Sequence, residues 1–293
     1  MLQLLTLDGK LKDSISFEFR ALWFVQAVDI DNDGKYEFLG NGFWGIPAAV
    51  LLNSQGKVIW KKYKLALTNP VLTAGDIDGD GIKEVMVPYV RGQYGQGLLV
   101  LDAKGNIVKD IKKFMSDYVK AADLNGDGKD EIVYWDEKEK SLIVREGIGE
   151  ILYRIKPQLD NFKFSITDWV EGSPAHILLV GSEKMQILDI EGKVLATLNI
   201  PYSLPSFFQP NGTLLKMNQD NTNPYGYVTL LKGRGGWHRT VLYVNSLSGE
   251  LLYHEILEED CNSLLAFNDN IKIKSGSFLV GGRNRVWLYT PLE

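Results

Sequence analysis

Three Asp-rich segments carry the spacing most capable of chemistry: DIDNDGKYE from Asp29, DIDGDGIKE from Asp76 and DLNGDGKDE from Asp123. Each begins 47 residues after the one before. Calcium takes about six to eight hard oxygen ligands, and side chains at alternate positions of a tight loop converge on one point. In the first loop the ligand set is Asp29, Asp31, Asp33, the backbone carbonyl of Lys35, and Glu37, with Gly34 permitting the sharp turn. The second set is Asp76, Asp78, Asp80, the Ile82 carbonyl and Glu84. The third is Asp123, Asn125, Asp127, the Lys129 carbonyl and Glu131. Asp, Asn and Gly also form ordinary solvated turns. Three copies in register, acidic at positions 1, 5 and 9 each time, favour the metal, because carboxylates crowded into one turn repel without a cation. The expectation is one structural calcium ion per loop.

Such loops need elements that hold their ends together. Short apolar, β-branched runs flank each Asp cluster, and a hairpin phrase follows: AVLLNSQGKVIW from Ala49, GLLVLDAKGNIV from Gly97 and SLIVREGIGEIL from Ser141. Each repeat thus supplies four antiparallel strands, A to D. The hairpins continue as KMQILDIEGKVL from Lys184, TVLYVNSLSGELL from Thr240 and RVWLYTP from Arg285. No convincing helix period occurs. Repeats of this length close radially so that sheet edges are not left open. The predicted fold is therefore all-β, a six-bladed β-propeller of four-stranded antiparallel blades spanning 1–293 as one domain, with seven blades as the alternative. The phrase LQLLTLDGKL resembles an outer hairpin and is expected to close the last blade. At the matching place, the fourth to sixth repeats read DWVEGSPAH from Asp168, NQDNTNPYG from Asn218 and NDNIKIKSG from Asn268. None keeps the carboxylate spacing, so calcium is expected on the first three blades alone.

The loops are not EF-hands, because the acidic residue stands at position 9 instead of 12 and strands flank them. The DxDxDGxx[DE] pattern, placed between strands A and B, resembles the FG-GAP/VCBS, or integrin-α-like, propeller repeats. That resemblance implies a calcium-binding propeller. The Phe-Gly and Gly-Ala-Pro signatures of that family are not reproduced here.

Alternating strand direction puts the A–B turns on one rim and the B–C loops on the other. The B–C phrases GNGFWGIPA, PYVRGQYGQG, KGRGGWHR and GGRNR are rich in aromatic residues and arginine, which are over-represented at recognition surfaces. Candidate ligand-binding residues are Phe43, Trp44, Tyr89, Arg91, Tyr94, Arg234, Trp237, His238 and Arg283. The competing reading folds these aromatics back over the blade ends. Catalysis finds little footing: His176, His238 and His254 share no metal-ligand spacing, and no nucleophile elbow appears. A net charge of -5 argues against a nucleic-acid surface. Cys261, the single cysteine, excludes an intrachain disulfide and reads as a small buried hydrophobe. No apolar run is long enough to insert into a membrane. The expected function is a recognition module for a protein or a glycan, with a polysaccharide lyase or a purely structural module as alternatives. An extracellular or cell-surface setting fits if a leader has been removed, and a cytoplasmic one fits equally.

Overall fold

The computed structural model describes the chain apart from residues 1, 7, 18–21, 23, 43–48, 63–70, 91–95, 115, 117, 170–171, 201–208, 218–224, 233–238, 268–273 and 292–293. The fold is all-β, that of a six-bladed β-propeller, and no helix occurs among the described residues. None is therefore long and apolar enough to cross a membrane. Two compact units divide the chain, Met1–Pro157 and Gln158–Glu293, and each carries three blades.

The first unit opens with strands β1 (Leu2–Leu5) and β2 (Leu11–Ile15). Blade one is β3 (Phe24–Val28), β4 (Glu37–Asn41), β5 (Ala49–Leu52) and β6 (Val58–Lys62). Blade two is β7 (Thr73–Gly75), β8 (Glu84–Val90), β9 (Gln96–Leu101) and β10 (Ile107–Lys112). Blade three is β11 (Val119–Ala122), β12 (Glu131–Asp136), β13 (Ser141–Glu146) and β14 (Ile151–Ile155). In the second unit, blade four is β15 (Lys163–Thr167), β16 (His176–Val180), β17 (Lys184–Leu188) and β18 (Val194–Asn199). Blade five is β19 (Gln209–Lys216), β20 (Tyr225–Lys232), β21 (Thr240–Ser246) and β22 (Leu251–Leu257), and blade six is β23 (Ser263–Ala266), β24 (Phe278–Gly281) and β25 (Val286–Tyr289). Five blades have four antiparallel strands in chain order, and the sixth has three among the described residues.

The N-terminal phrase, expected in the last blade, is a two-stranded sheet of its own. Its Leu2, Leu4 and Ile15 pack with Phe38, Val50 and Leu52 of blade one.

Inside each unit the core lies between neighbouring blades. Alternate residues of β8 serve opposite neighbours: Val85, Val87 and Tyr89 pack with Leu39, Leu51 and Trp60 of blade one, while Met86 packs with Ile132 and Tyr134 of blade three. Both faces of such a strand are covered, so it reads as a continuous apolar run without polar alternation. The outermost strands, such as β10 and β22, are mostly exposed; β10 carries Lys109, Asp110 and Lys112, charge that discourages edge-to-edge pairing, whereas β22 exposes Leu251, Leu252, Tyr253 and Ile256 beside Glu255.

The outer hairpins of blades one, two, four and five share one turn. Asn53, Asp102, Asp189 and Ser246 each accept the N–H of the glycine three residues on. Gly56, Gly105, Gly192 and Gly249 there take a left-handed conformation with φ between 79° and 90°. A one-residue bulge follows in each pair, the arrangement that lets a type I turn match strand twist. The N-terminal hairpin repeats it at Thr6 and Gly9. At Gly105 the turn also receives blade one: Trp60 Nε1 donates to the Ala103 carbonyl at 3.0 Å, and a Cβ on Gly105 would lie 2.6 Å from Trp60 Cγ. Gly105→Ala combines backbone strain with a clash and is expected to cost roughly 2–4 kcal/mol in urea unfolding. Gly9→Ala, where φ is +79° and nothing lies within 4 Å of the added carbon, should cost only about 1 kcal/mol. Equal losses would remove Trp60 from the explanation.

Candidate metal centre

Each Asp loop joins the first two strands of its blade and folds around its own first residue. Asp29 Oδ1 and Oδ2 accept from Asp33 N–H at 3.1 Å and Gly34 N–H at 3.0 Å. Asp76 accepts from Gly79, Asp80 and Gly81, and Asp123 from Gly126 and Gly128. The loop closes because positions 4 and 6 are left-handed in all three copies: Asn32 and Gly34, Gly79 and Gly81, Gly126 and Gly128. Asn is among the few side chains that tolerate this region, which explains the single departure from glycine.

Position 9 returns to the loop as the first residue of the second strand. Glu37, Glu84 and Glu131 are only 9%, 6% and 1% exposed, so carboxylates stand where charge is costly. One oxygen of each accepts the N–H of loop position 2: Ile30 at 3.2 Å, Ile77 at 3.2 Å and Leu124 at 2.9 Å. Burial raises the Glu84 carboxyl to about 7, with the Asp78 charge adding to it. Burial also raises Glu131 to about 7, with Asp127 adding, and Glu37 moves the same way beside Asp31 and Asp33.

Asp29, Asp31 and Glu37 bring carboxylate oxygens within 4.8 Å of one another, as do Asp76, Asp78 and Glu84. Both groups could hold a metal ion, and hard oxygens alone suit calcium or magnesium. In the first loop Asp33 forms an exposed ion pair with Lys35 at 2.7 Å, which holds its carboxyl below the usual range. In the third, Asn125 Nδ2 donates to Glu131 Oε1 at 2.9 Å and Asp127 Oδ2 at 3.2 Å, while its Oδ1 accepts Asp127 N–H at 2.7 Å. Ligation by Asn125 therefore requires its amide to rotate.

The three loops are joined to one another, which the repeat spacing did not reveal. Lys83, at position 8 of the second loop, donates its N–H to the Ile30 carbonyl at 2.8 Å and its ammonium to the Asp29 carbonyl at 3.2 Å. Asp130, at position 8 of the third, donates its N–H to the Asp76 carbonyl at 2.8 Å, and its carboxylate accepts Asp76 N–H at 2.9 Å. Asp29 and Asp76, the first residues of their loops, are thus each gripped by the blade that follows.

The rim residues fare unevenly. Phe43, Trp44, Arg91, Tyr94, Arg234, Trp237 and His238 lie outside the described residues. Tyr89 is buried, 3% exposed, and not presented for recognition: it stands opposite Gly97 in the β8–β9 ladder, and its hydroxyl donates to Asp110 Oδ1 at 2.6 Å. Arg283 is exposed in the turn between β24 and β25 and lines a small cavity with Asp260, Asn262 and Ser263. His176 packs edge-on to Trp169 at 6.0 Å, and burial lowers its pKa. His254 stacks on Tyr243 at 6.5 Å. Cys261 is buried, and its thiol donates to the Glu259 carbonyl at 3.6 Å.

No protein-family model matches the chain, and no curated protein matches it. Solved structures do. One crystal of BBS1N in complex with ARL6DN, soaked with lead, superposes at a TM-score of 0.60 with 10% identity, covering 90% of this chain and 78% of that one. A second crystal of that complex, soaked with mercury, gives 0.53 with 11% identity and 90% of each chain. What this chain shares with BBS1N at such identity is the fold.

Proposed function

We propose that this chain is a recognition propeller of the FG-GAP/VCBS type, with calcium holding its first three blades and a protein partner binding at the B–C rim. The observation that carries the metal half is the buried glutamate at position 9, which meets two loop aspartates within 4.8 Å in blades one and two. A divalent cation would neutralise charge that burial otherwise forces toward the protonated state. Asp29, Asp76 and Asp123 orient the loops and serve as ligands, the carboxylates at positions 5 and 9 and those of Asp31 and Asp78 at position 3 add charge, Asn125 offers its amide oxygen, and the Lys35, Ile82 and Lys129 carbonyls complete the shells. Support for a protein partner comes from the BBS1N fold, which was crystallised with ARL6DN bound. Affinity for calcium of about 0.1 to 1 mM, the range of extracellular modules, would place the protein outside the cell.

Calorimetry should find three ions per wild-type chain. Asp78→Ala should lose one of them and Asp168→Ala none, since Asp168 belongs to no acidic group among the described residues. No uptake at millimolar calcium would refute the metal assignment. For the rim, a captured partner should bind Trp44→Ala or Trp237→Ala about thirtyfold more weakly, as buried aromatic anchors contribute about 2 kcal/mol each. Its affinity for Asp78→Ala should stay near wild type.

A further inference from the structure

Blade six carries an open cavity of about 380 Å³ whose lining is mostly polar: Asp260, Asn262, Ser263, Gly281, Gly282 and Arg283. Two connections build it, the chain leading from β22 into β23 and the tight turn between β24 and β25. Strand direction places both at the B–C end of the blade. They are tied together rather than merely adjacent. Glu259 Oε2 accepts Asn284 N–H at 2.9 Å, and Asn262 N–H donates to the Gly281 carbonyl at 3.1 Å. Gly282 N–H donates to the Arg285 carbonyl at 2.8 Å, and Cys261 N–H to Thr240 Oγ1 at 2.8 Å. The Gly282 wall has to be bare backbone, because a Cβ there would lie 2.7 Å from the Trp287 ring and 2.8 Å from Glu259 Oε2.

The volume falls at the small end of ligand pockets, but the lining departs from their usual apolar character. Hydrogen bonding therefore selects the ligand here more than apolar burial does. The four side chains are a carboxylate, an amide, a hydroxyl and a guanidinium, so donors and acceptors face the same space. An anionic ligand meets Asp260 and a cationic one meets Arg283. A hydroxyl, which donates and accepts at once, suits both walls. We propose that this pocket binds a neutral polyhydroxylated ligand, a single hexose unit of a glycan. The inference goes beyond the protein-binding reading and depends on neither calcium nor a protein partner.

Saturation-transfer NMR on the full chain tests it, with methyl glycosides of neutral hexoses as probes and glucuronate, glucosamine and glycine as charged controls. A neutral hexoside should bind in the millimolar range, and Arg283→Ala and Asn262→Ala should each weaken it about tenfold, the loss of one good polar contact. Both side chains are exposed, so melting should be unchanged. Asp260→Asn removes the negative wall and should admit glucuronate, a gain that a merely structural role would not produce. No transfer to any neutral hexoside, a preference of the wild type for a charged control, or full binding by Arg283→Ala would each overturn the proposal.

Discussion

Chelated protein should lose stability as pH rises from about 4.5 to 8, and calcium should abolish that loss. Glu84 and Glu131 sit in the folded chain with carboxyls near 7, above their ordinary value of 4.5. A raised pKa means that the folded state binds the proton more tightly. The stabilisation it brings is complete below the unfolded pKa and disappears as pH passes through the folded one. The two groups together should cost on the order of 3 kcal/mol at pH 8, after discounting for solvent screening. A divalent cation replaces the proton. At ten- to hundredfold excess over Kd, each occupied loop adds about 1.4 to 2.7 kcal/mol, and three loops should raise Tm by roughly 5–15 °C. Thermal melts from pH 5 to 8.5, with EGTA or with calcium, check both halves. A flat profile in EGTA would show that the buried glutamates are not the strained groups, and identical melts in both would show that the loops bind no calcium.

Tyr227→Ala should be among the most destabilising single changes in the second unit, at about 4 kcal/mol. Tyr227 is fully buried on β20 and packs with Leu178, Ile187 and Leu214. Its hydroxyl donates to the Asn199 carbonyl at the end of β18, so one side chain both fills the space between blades four and five and links them. Tyr227→Phe keeps the ring and removes the bond. Asn199 is exposed, so water can take the vacated place, and the cost should fall to about 1 kcal/mol. Urea unfolding of the two variants separates the contributions; a Phe variant as damaged as the Ala variant would assign the stability to the hydrogen bond.

The blades and the Asp loops were legible because their signals are local. An apolar run, a turn glycine or an aspartate spacing is complete within about a dozen residues, and repetition at 47 separates it from chance. Tyr89 misled for the opposite reason. It lies in an aromatic, glycine-rich phrase that reads as a loop, yet the β8–β9 ladder continues to Val90 and Gln96. The hint was Gly97: a Cβ there would lie 2.3 Å from the Tyr89 ring, so the glycine exists to let the ring fold across it. The N-terminal hairpin was readable as a hairpin, because its turn is local, while the blade it packs on was not. Lys83 and Asp130 left no trace at all. Each bonds a residue 54 positions earlier in the chain, and no periodicity marks position 8, where one copy has a cation and the other an anion.

Those two contacts also bear on how such a run of loops responds to damage. The second loop touches both of its neighbours, whereas among the described contacts the first and third each touch one. Damage to the middle member should loosen all three loops, and damage to an end member two.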